Sequence, residues 1–232
     1  MLKVENLTSG YGSAQILNGV NLELGDKEVV AVLGRNGVGK TTFLKSIMGI
    51  VHPAAGSVLL EGREISGHPT HEIARYGIGY VPQGRGIFGK LTVEENLRMG
   101  LRASREPATT IPDFVFETFP ILDERREQLA GTLSGGQKQQ LAISRALCGE
   151  PKLLLLDEPS EGIQPNIVHE IGVFIRKLVE SRNISVLIVE QNLELVGVGS
   201  DRFEIMVKGE LVHRGTKNEL EDEEMLKEYL SV

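Results

Sequence analysis

The residues best suited to chemistry in this sequence form a glycine-rich segment that begins at Gly34. The segment fits the pattern G-x-x-x-x-G-K-[ST]. It lies between an apolar run that ends at Leu33 and a helical pattern from Thr41. In such a loop, backbone N–H groups point at phosphate oxygens and the helix N-terminus adds its positive dipole end. The predicted phosphate-binding residues are Gly34, Arg35, Asn36, Gly37, Val38, Gly39, Lys40, Thr41 and Thr42.

Three side chains of this loop have distinct expected contacts with a nucleoside triphosphate. Lys40 would meet the β and γ phosphates, Thr41 would offer its hydroxyl to Mg²⁺, and Thr42 would donate near the α phosphate. The alternative interpretation is an ordinary glycine-rich turn between a strand and a helix. The combined match of the loop and both flanks favours the phosphate site.

Two adjacent carboxylates, Asp157 and Glu158, follow a second apolar run. The run consists of four leucines, which is typical of a strand buried on both faces, and α/β sheets place ligands at the C-terminal ends of such strands. Since a hydrated Mg²⁺ beside a triphosphate needs an outer anchor, we expect Asp157 to hold the metal through water. Glu158 would orient or deprotonate the attacking water. The alternative is that both acids cap the next helix.

A second helix N-terminus suited to anions follows Leu133, where the chain reads Ser-Gly-Gly-Gln. The helical pattern covers 135–148 and so begins at this segment. No second lysine-containing loop lies beside it in the sequence. One chain is therefore expected to carry two separate halves of a phosphate site.

The segment from Leu133 to Gln137 resembles the signature sequence of ABC-type ATPases, and the other motifs follow in that family's order. The resemblance covers residues 1–215. It implies ATP and Mg²⁺ as cofactors, with Tyr11 stacking on adenine and Gln83 linking Mg²⁺ and water to a helical subdomain. It also implies that two such domains stack head to tail, so that the signature of one closes over the γ phosphate of the other. The signature residues expected at the nucleotide are Ser134, Gly135, Gly136 and Gln137.

Two positions depart from the general ABC pattern. Gln164 stands where the family usually has aspartate, and Gln191 stands where it usually has a switch histidine. Glutamine donates hydrogen bonds to phosphate, but it does not become a cation as histidine does. We therefore expect Gln191 to position the γ phosphate by hydrogen bonding alone. Because Lys40, Asp157 and Glu158 are all present, we expect a working ATPase; a nucleotide sensor without turnover is the alternative.

Within the family, the loop and the sequence Glu-Gln-Asn at 190–192 look like the ATP-binding subunits of branched-chain amino acid and amide importers. The segments 82–85, 91–96 and 161–165 are most similar to the urea-uptake branch. The resemblance implies urea or short amides as the solute, with branched-chain amino acids as the alternative. It implies a second ATPase subunit, identical or different, two permease subunits, and indirectly an external or periplasmic solute-binding protein. The chain is then expected at the cytoplasmic face of the inner membrane.

The segment from Gly84 to Leu97 resembles the region of the family that receives a short helix from a membrane subunit. Its expected apolar contacts are Ile87, Phe88 and Leu91. Burial in the core is the alternative for each of them.

Composition excludes several other classes. The chain has 232 residues, a formal net charge of −7 and no apolar run near the length of a membrane span, so we expect a folded domain that does not itself cross a bilayer. The acidic balance argues against an ABC-type ATPase that acts on nucleic acid or ribosomes, and we expect no nucleic-acid partner. The one cysteine, Cys148, excludes an internal disulfide and is expected in the core. The N-terminus has no apolar signal core, which favours the cytoplasm.

Hydrophobic spacing predicts the elements that hold these residues. Antiparallel strands are expected over 2–24, a turn over 52–56, and helices in the middle of the chain around a polar hinge at 103–112. Strands that alternate with helices indicate a mostly parallel sheet. The predicted fold is α/β, a P-loop NTPase with a mostly parallel central sheet, an N-terminal antiparallel β subdomain and an inserted α-helical subdomain.

The prediction treats residues 1–232 as a single ABC ATPase domain with three parts. They are a RecA-like core with the antiparallel β subdomain at 1–83 and 152–215, the helical subdomain at 84–151, and a C-terminal helical tail at 216–232.

Overall fold

The computed structural model describes residues 1–104 and 108–230, which form two β-sheets flanked by helices. The strands are β1 (Leu2–Tyr11), β2 (Ala14–Leu24), β3 (Val29–Leu33), β4 (Pro53–Leu60), β5 (Arg63–Glu64), β6 (Ile78–Val81), β7 (Leu153–Asp157), β8 (Ser185–Glu190), β9 (Arg202–Val207) and β10 (Glu210–Thr216). The α-helices are α1 (Lys40–Ile47), α2 (Thr70–Arg75), α3 (Val93–Gly100), α4 (Asp113–Thr118), α5 (Pro120–Glu124), α6 (Gly135–Leu147), α7 (Pro165–Arg182), α8 (Leu193–Gly199) and α9 (Glu223–Leu230).

The central sheet has the strand order β10-β9-β3-β8-β7-β6. All neighbours in it are parallel except β9 and β10, which form the hairpin expected around Lys208. Every residue of β3, β7 and β8 is buried, because helices cover both faces of this part of the sheet. The C-terminal ends of these three strands therefore meet at one edge, where the phosphate loop and the two carboxylates follow. The short helix α8 after β8 was not anticipated from the sequence.

The smaller sheet is antiparallel, with the order β2-β1-β4-β5. The prediction of a turn over 52–56 is wrong, because β4 already begins at Pro53, which pairs with Ser9 of β1. Gly56 permits this pairing where the register shifts. It has a φ of 85°, and a Cβ there would lie 2.3 Å from the carbonyl oxygen of Asn6.

The helices α3 to α6 gather around a hydrophobic cluster distinct from the cores of the two sheets. Cys148 lies in this cluster, as expected, and burial raises the pKa of its thiol to about 12. The helix α6 also packs its residues Ala142, Ile143 and Leu147 against the central sheet. It therefore contributes both to the helical cluster and to the core of the central sheet. Of the expected hinge at 103–112, residues 105–107 lie outside the described part. The C-terminal tail forms a 3₁₀ turn, Lys217–Glu221, followed by α9.

Candidate functional site

The phosphate loop joins β3 to α1, in the strand–loop–helix arrangement that the sequence predicted. Gly37 and Gly39 adopt left-handed φ values of 83° and 115°, which glycine reaches without strain. At Gly34 a Cβ would lie 2.7 Å from the carbonyl oxygen of Met206, so the loop can follow its path only with glycine there. The amide groups of the loop then precede the first turn of α1, where the helix dipole favours an anion.

Lys40 begins α1, and its ammonium group is turned into the loop. Its Nζ donates to the carbonyl oxygens of Gly34 at 2.7 Å and Arg35 at 3.0 Å, and it forms an ion pair with Glu158 at 3.0 Å. Lys40 is only 3% exposed. A phosphate at this loop would therefore compete with Glu158 for a lysine that the protein already holds in position.

The hydroxyl of Thr41 donates to Oδ1 of Asp157 at 2.9 Å, and the phenol of Tyr80 donates to Oδ2 of the same carboxylate at 3.0 Å. Burial raises the pKa of Asp157, while these two hydrogen bonds and one from the backbone of Gln83 oppose the rise. Burial likewise raises the pKa of Tyr80, so its phenol stays protonated and remains a donor. The carboxylate is therefore held at both oxygens beside the start of α1.

Glu158 follows directly and has a left-handed φ of 47°. Its Oε2 accepts from the side-chain amide of Gln83 at 3.3 Å, while its Oε1 contacts Lys40. Eight of the predicted residues, together with Ile16, line a cleft of about 280 Å³. Its lining is Ile16, Asn36, Gly37, Gly39, Lys40, Thr41, Thr42, Gln83 and Glu158.

The donor set at this cleft fits Mg²⁺ held together with a phosphate. A threonine hydroxyl and a carboxylate lie side by side, and hard oxygen donors of this kind suit Mg²⁺, which keeps several waters and takes further ligands from phosphates. Among the described residues there is no group of three or more His, Cys, Asp or Glu that could hold a metal ion alone. A Mg²⁺ ion at this cleft would take its remaining ligands from phosphate and water.

Two predicted residues lie at the margin of this region. Tyr11 ends β1 with its side chain half exposed, and its stacking on adenine stays a prediction. Gln191 follows β8 with its side chain exposed, and the last residue of β8, Glu190, pairs in register with Leu33 before the phosphate loop. Gln191 is thus positioned near the loop by the sheet, and its contact with a γ phosphate stays a prediction.

The signature segment occupies the N-terminus of α6 in the other part of the molecule. The hydroxyl of Ser134 accepts from the backbone N–H of Gln137 at 3.3 Å, and the side-chain oxygen of Gln137 accepts from the backbone N–H of Ser134 at 3.0 Å. This capping box directs the side chain of Gln137 to its own helix. The N–H groups of Gly135 and Gly136 lie in the first turn, where backbone N–H groups have no acceptor within the helix.

The signature lines a second cleft, of about 510 Å³, which shares no lining residue with the phosphate cleft. Gln164 lies here, beside the signature, and not at the cleft of Lys40. The lining residues are Ile121, Ser134, Gly135, Gly136, Gln137, Gln140, Gly162, Ile163, Gln164 and Ile167.

Sequence reasoning missed two side chains that hold the site in place. Tyr80 fixes Asp157, and the fully buried Glu190 accepts backbone N–H groups from Ser160, Gln191 and Asn192 at 2.8 to 2.9 Å. Glu190 ends an apolar strand as Asp157 does, so the same pattern could have singled it out. No comparable signal marks Tyr80.

The segment 84–97, called the docking segment below, was expected to contact a membrane subunit through three apolar residues. These three residues differ in exposure. Phe88 is 46% exposed, whereas Ile87 packs against two core clusters and Leu91 is half-buried. Ile87 is therefore a core residue, which was the alternative for each of the three, whereas Phe88 lies at the surface.

A phosphate loop after one parallel strand, with a carboxylate pair after another strand of the same sheet, defines a P-loop nucleoside triphosphatase. The family model described as "ABC transporter" matches residues 17–161, which is more than half of the chain. The chain therefore belongs to the ABC transporter family. It is an ATPase and corresponds to the ATP-binding component of that family.

Comparison with known proteins agrees with this assignment. The chain is 42% identical to the high-affinity branched-chain amino acid transport ATP-binding protein BraG of Pseudomonas aeruginosa, over 93% of each chain. It is 36% identical to the lipopolysaccharide export system ATP-binding protein LptB of Escherichia coli, over 99% of this chain and 96% of LptB. The crystal structure of the ADP conformation of MJ1267, an ATP-binding cassette of an ABC transporter, superposes with a TM-score of 0.84 at 28% identity, covering 99% of this chain and 98% of MJ1267.

These findings confirm the predicted ABC family, α/β fold and ATPase activity, and they relate the chain to branched-chain amino acid transporters. They give no support to urea in particular. In the described part of the chain, no helix combines the length and the hydropathy that crossing a membrane requires.

Proposed function

We propose that this chain binds ATP between two ATPase subunits and that hydrolysis drives a membrane importer. The observation that carries the proposal is the separation of the two clefts within one chain. The cleft at the signature and the cleft at the phosphate loop have no lining residue in common. A second subunit, placed head to tail, would bring its Ser134 to the phosphate held at Lys40. ATP then closes the pair and hydrolysis opens it, which is a population shift driven by differential binding.

Within each site the residues of this chain have separate roles. Lys40 binds the β and γ phosphates, and a γ phosphate there would take over the ammonium that Glu158 now contacts. Glu158, still held by the amide of Gln83 at 3.3 Å, is then available to accept a proton from the attacking water. Thr41 and Asp157 would hold Mg²⁺, which neutralises phosphate charge when it is bound. Gln191 would contribute a hydrogen bond without a positive charge.

The proposed partner in the membrane is a permease subunit that docks on the segment with Phe88. An aromatic side chain that is 46% exposed suits an apolar contact, and its backbone is fixed by two hydrogen bonds with Asn96, a fully buried residue of α3. Such docking would hold the chain at the cytoplasmic face of the inner membrane. A solute-binding protein would act only indirectly, through the permease.

The solute that we favour is a branched-chain amino acid. The likeness to BraG, at 42% identity over 93% of both chains, supports this solute rather than urea, which only the short segments 82–85, 91–96 and 161–165 suggested. The likeness to LptB, at 36% identity, makes export the alternative direction. The solute itself would not touch this chain, so its identity depends on the permease.

Dimerisation tests the proposal directly. In a Glu158→Gln variant, ATP should bind but turn over slower by a factor on the order of 10² or more, because the proposed base is lost. Light scattering should then detect a dimer with Mg²⁺ and ATP, and only the monomer with Mg²⁺ and ADP. Glu170→Gln, which changes an exposed acid of α7 that lines neither cleft, is the matched control and should hydrolyse ATP normally. A Glu158→Gln protein that binds ATP and stays monomeric, alone and with the candidate second ATPase subunit, would contradict the proposal.

Uptake measurements test the solute. A strain that lacks the gene should lose uptake of labelled leucine and keep uptake of urea, and wild-type protein should restore it whereas Glu158→Gln should not. Loss of urea uptake alone would return the assignment to the urea branch.

A further inference from the structure

Arg85 connects three elements of the site, although sequence reasoning gave it no role. It lies two residues after Gln83, in the turn that follows β6 and begins the docking segment, residues 84–97. Its Nε donates to the side-chain oxygen of Gln139 on α6 at 3.2 Å, and its guanidinium also donates to the carbonyl oxygen of Glu161 at 2.8 Å. One side chain therefore joins the turn to the signature helix and to the loop that carries Glu158.

The turn holds Arg85 in a conformation that a side chain rarely adopts. Its φ is 72°, and the glycines on either side, Gly84 and Gly86, have φ values of 73° and 56°. Glycine would adopt this backbone without strain, whereas arginine raises its free energy. The contacts of the guanidinium offset that cost, because Gln139 is only 3% exposed and its oxygen has little access to water as an alternative partner.

A second arginine fixes the turn from the other side. Arg145 of α6 donates to the carbonyl oxygens of Gly86 at 2.8 Å and Arg85 at 3.1 Å. Its guanidinium carbon also lies 5.2 Å from the ring centroid of the exposed Phe88. The contacts therefore run from the Phe88 surface through Arg145 and Arg85 to Glu161.

Glu161 is directly coupled to the proposed base. Its backbone N–H donates to the carbonyl oxygen of Glu158 at 3.1 Å, which closes a tight turn. A displacement of Glu161 therefore changes the path of the chain at Glu158.

We propose that Arg85 is a positioning residue. Its hydrogen bonds connect the loop that carries Glu158 to the signature helix α6 and to the turn at residues 84–86, which precedes Phe88. The inference rests on the proposed function, because it assigns to this contact the alignment of the proposed base for hydrolysis. Arg85 does not line the phosphate cleft, so we expect it to act on turnover and not on the affinity for nucleotide at that cleft.

The decisive variant is Arg85→Gly, which removes the guanidinium and relieves the backbone strain. We expect the melting temperature to fall only slightly, because relief of the backbone strain compensates in part for the lost contacts. The kcat for ATP hydrolysis should fall on the order of tenfold to a hundredfold, since misplaced catalytic groups have effects of this size. KM for ATP should stay within about twofold, because no binding contact is removed. Arg85→Lys should restore only part of kcat, since one nitrogen does not reproduce the planar fork that contacts both oxygens.

Arg126→Ala is the control, since Arg126 is an exposed arginine of the same helical region with its own ion pair to Asp123. It should leave both kcat and KM unchanged. Wild-type kcat in Arg85→Gly, or a parallel change of kcat and KM, would overturn the inference. Complete rescue by Arg85→Lys would also overturn it. Failure of the proposed function is distinguishable, because then the Glu158→Gln protein with intact Arg85 would not dimerise on ATP.

Discussion

Burial and hydrogen bonding act in opposite directions on the carboxyl of Asp157. Burial, the larger effect, raises its pKa, while the donors Thr41 and Tyr80 favour the charged form. In the folded protein without a cation, the ionised carboxylate is therefore held at a cost in stability. Carboxyl groups with a raised pKa are concentrated at functional sites of proteins.

The pH dependence of unfolding tests this balance. Because the folded pKa lies above the ordinary aspartate value of about 3.9, the folded state binds more protons than the unfolded state between these two values. The free energy of unfolding of the wild type, relative to Asp157→Asn, should therefore fall as pH rises through that window. Urea denaturation of both proteins at several acidic pH values measures it. Tyr80→Phe removes a hydrogen bond that lowers the pKa of Asp157, so the decrease in the free energy of unfolding should become larger. Tyr76→Phe, the control, should leave that decrease unchanged.

Two helices of this protein begin with the same local device but differ in function. Thr92 at the start of α3 and Ser134 at the start of α6 each form a capping box, with Glu95 and Gln137 respectively. Only the box of Ser134 lines a cleft that the proposed function assigns to a phosphate. The pair therefore separates the stabilising effect of a cap from a role in catalysis.

We expect Thr92→Ala and Ser134→Ala to lower the free energy of unfolding by similar amounts, about 1 kcal/mol each, because each loses one cap. ATPase activity should fall at least about tenfold in Ser134→Ala alone, since the hydroxyl that we propose to contact the transferred phosphate is lost. Urea denaturation and phosphate release measure the two effects. Equal activity in both variants would remove Ser134 from the proposed site.

At the scale of the whole molecule, the phosphate cleft and the signature cleft share no lining residue. Lys40 lies at the edge of the central sheet, whereas Ser134 lies at the tip of a helix that also packs in the helical cluster. If a site is completed by a second copy, defects in the two halves must complement each other between chains.

Mixing two inactive variants tests this arrangement. Lys40→Ala loses the phosphate contact and Ser134→Arg blocks the signature cleft, so each protein alone should lack ATPase activity. A mixed dimer has one intact site, formed by Lys40 of one chain and Ser134 of the other, and the mixture should recover a measurable part of wild-type turnover. The double variant Lys40→Ala/Ser134→Arg, measured alone at the same total protein concentration, should stay inactive. A mixture as inactive as its components would exclude a site shared between two copies of this chain.

The features that the sequence predicted correctly are those encoded by local patterns. The apolar runs of β3, β7 and β8 identified buried parallel strands because polar residues cannot be placed between two layers of helices without cost. The turn predicted over 52–56 was wrong because β4 is set by pairing with β1, more than forty residues earlier in the chain, and local turn residues do not register that partner. Gln83 was predicted from a family resemblance, not from its contact with Glu158.

The sequence by itself determined which groups the candidate site can offer: the glycine loop, the lysine and the paired acids follow from residue type and spacing, which act over a few residues, and the signature segment follows from a family resemblance. Only the tertiary structure decided which groups share a cleft. It joined Tyr80 to Asp157 and Arg85 to Glu161, each pair more than seventy residues apart, and it kept Ser134 away from Lys40. The physical reason is that distances between remote residues are set by how the sheets and helices pack, and no local pattern encodes them.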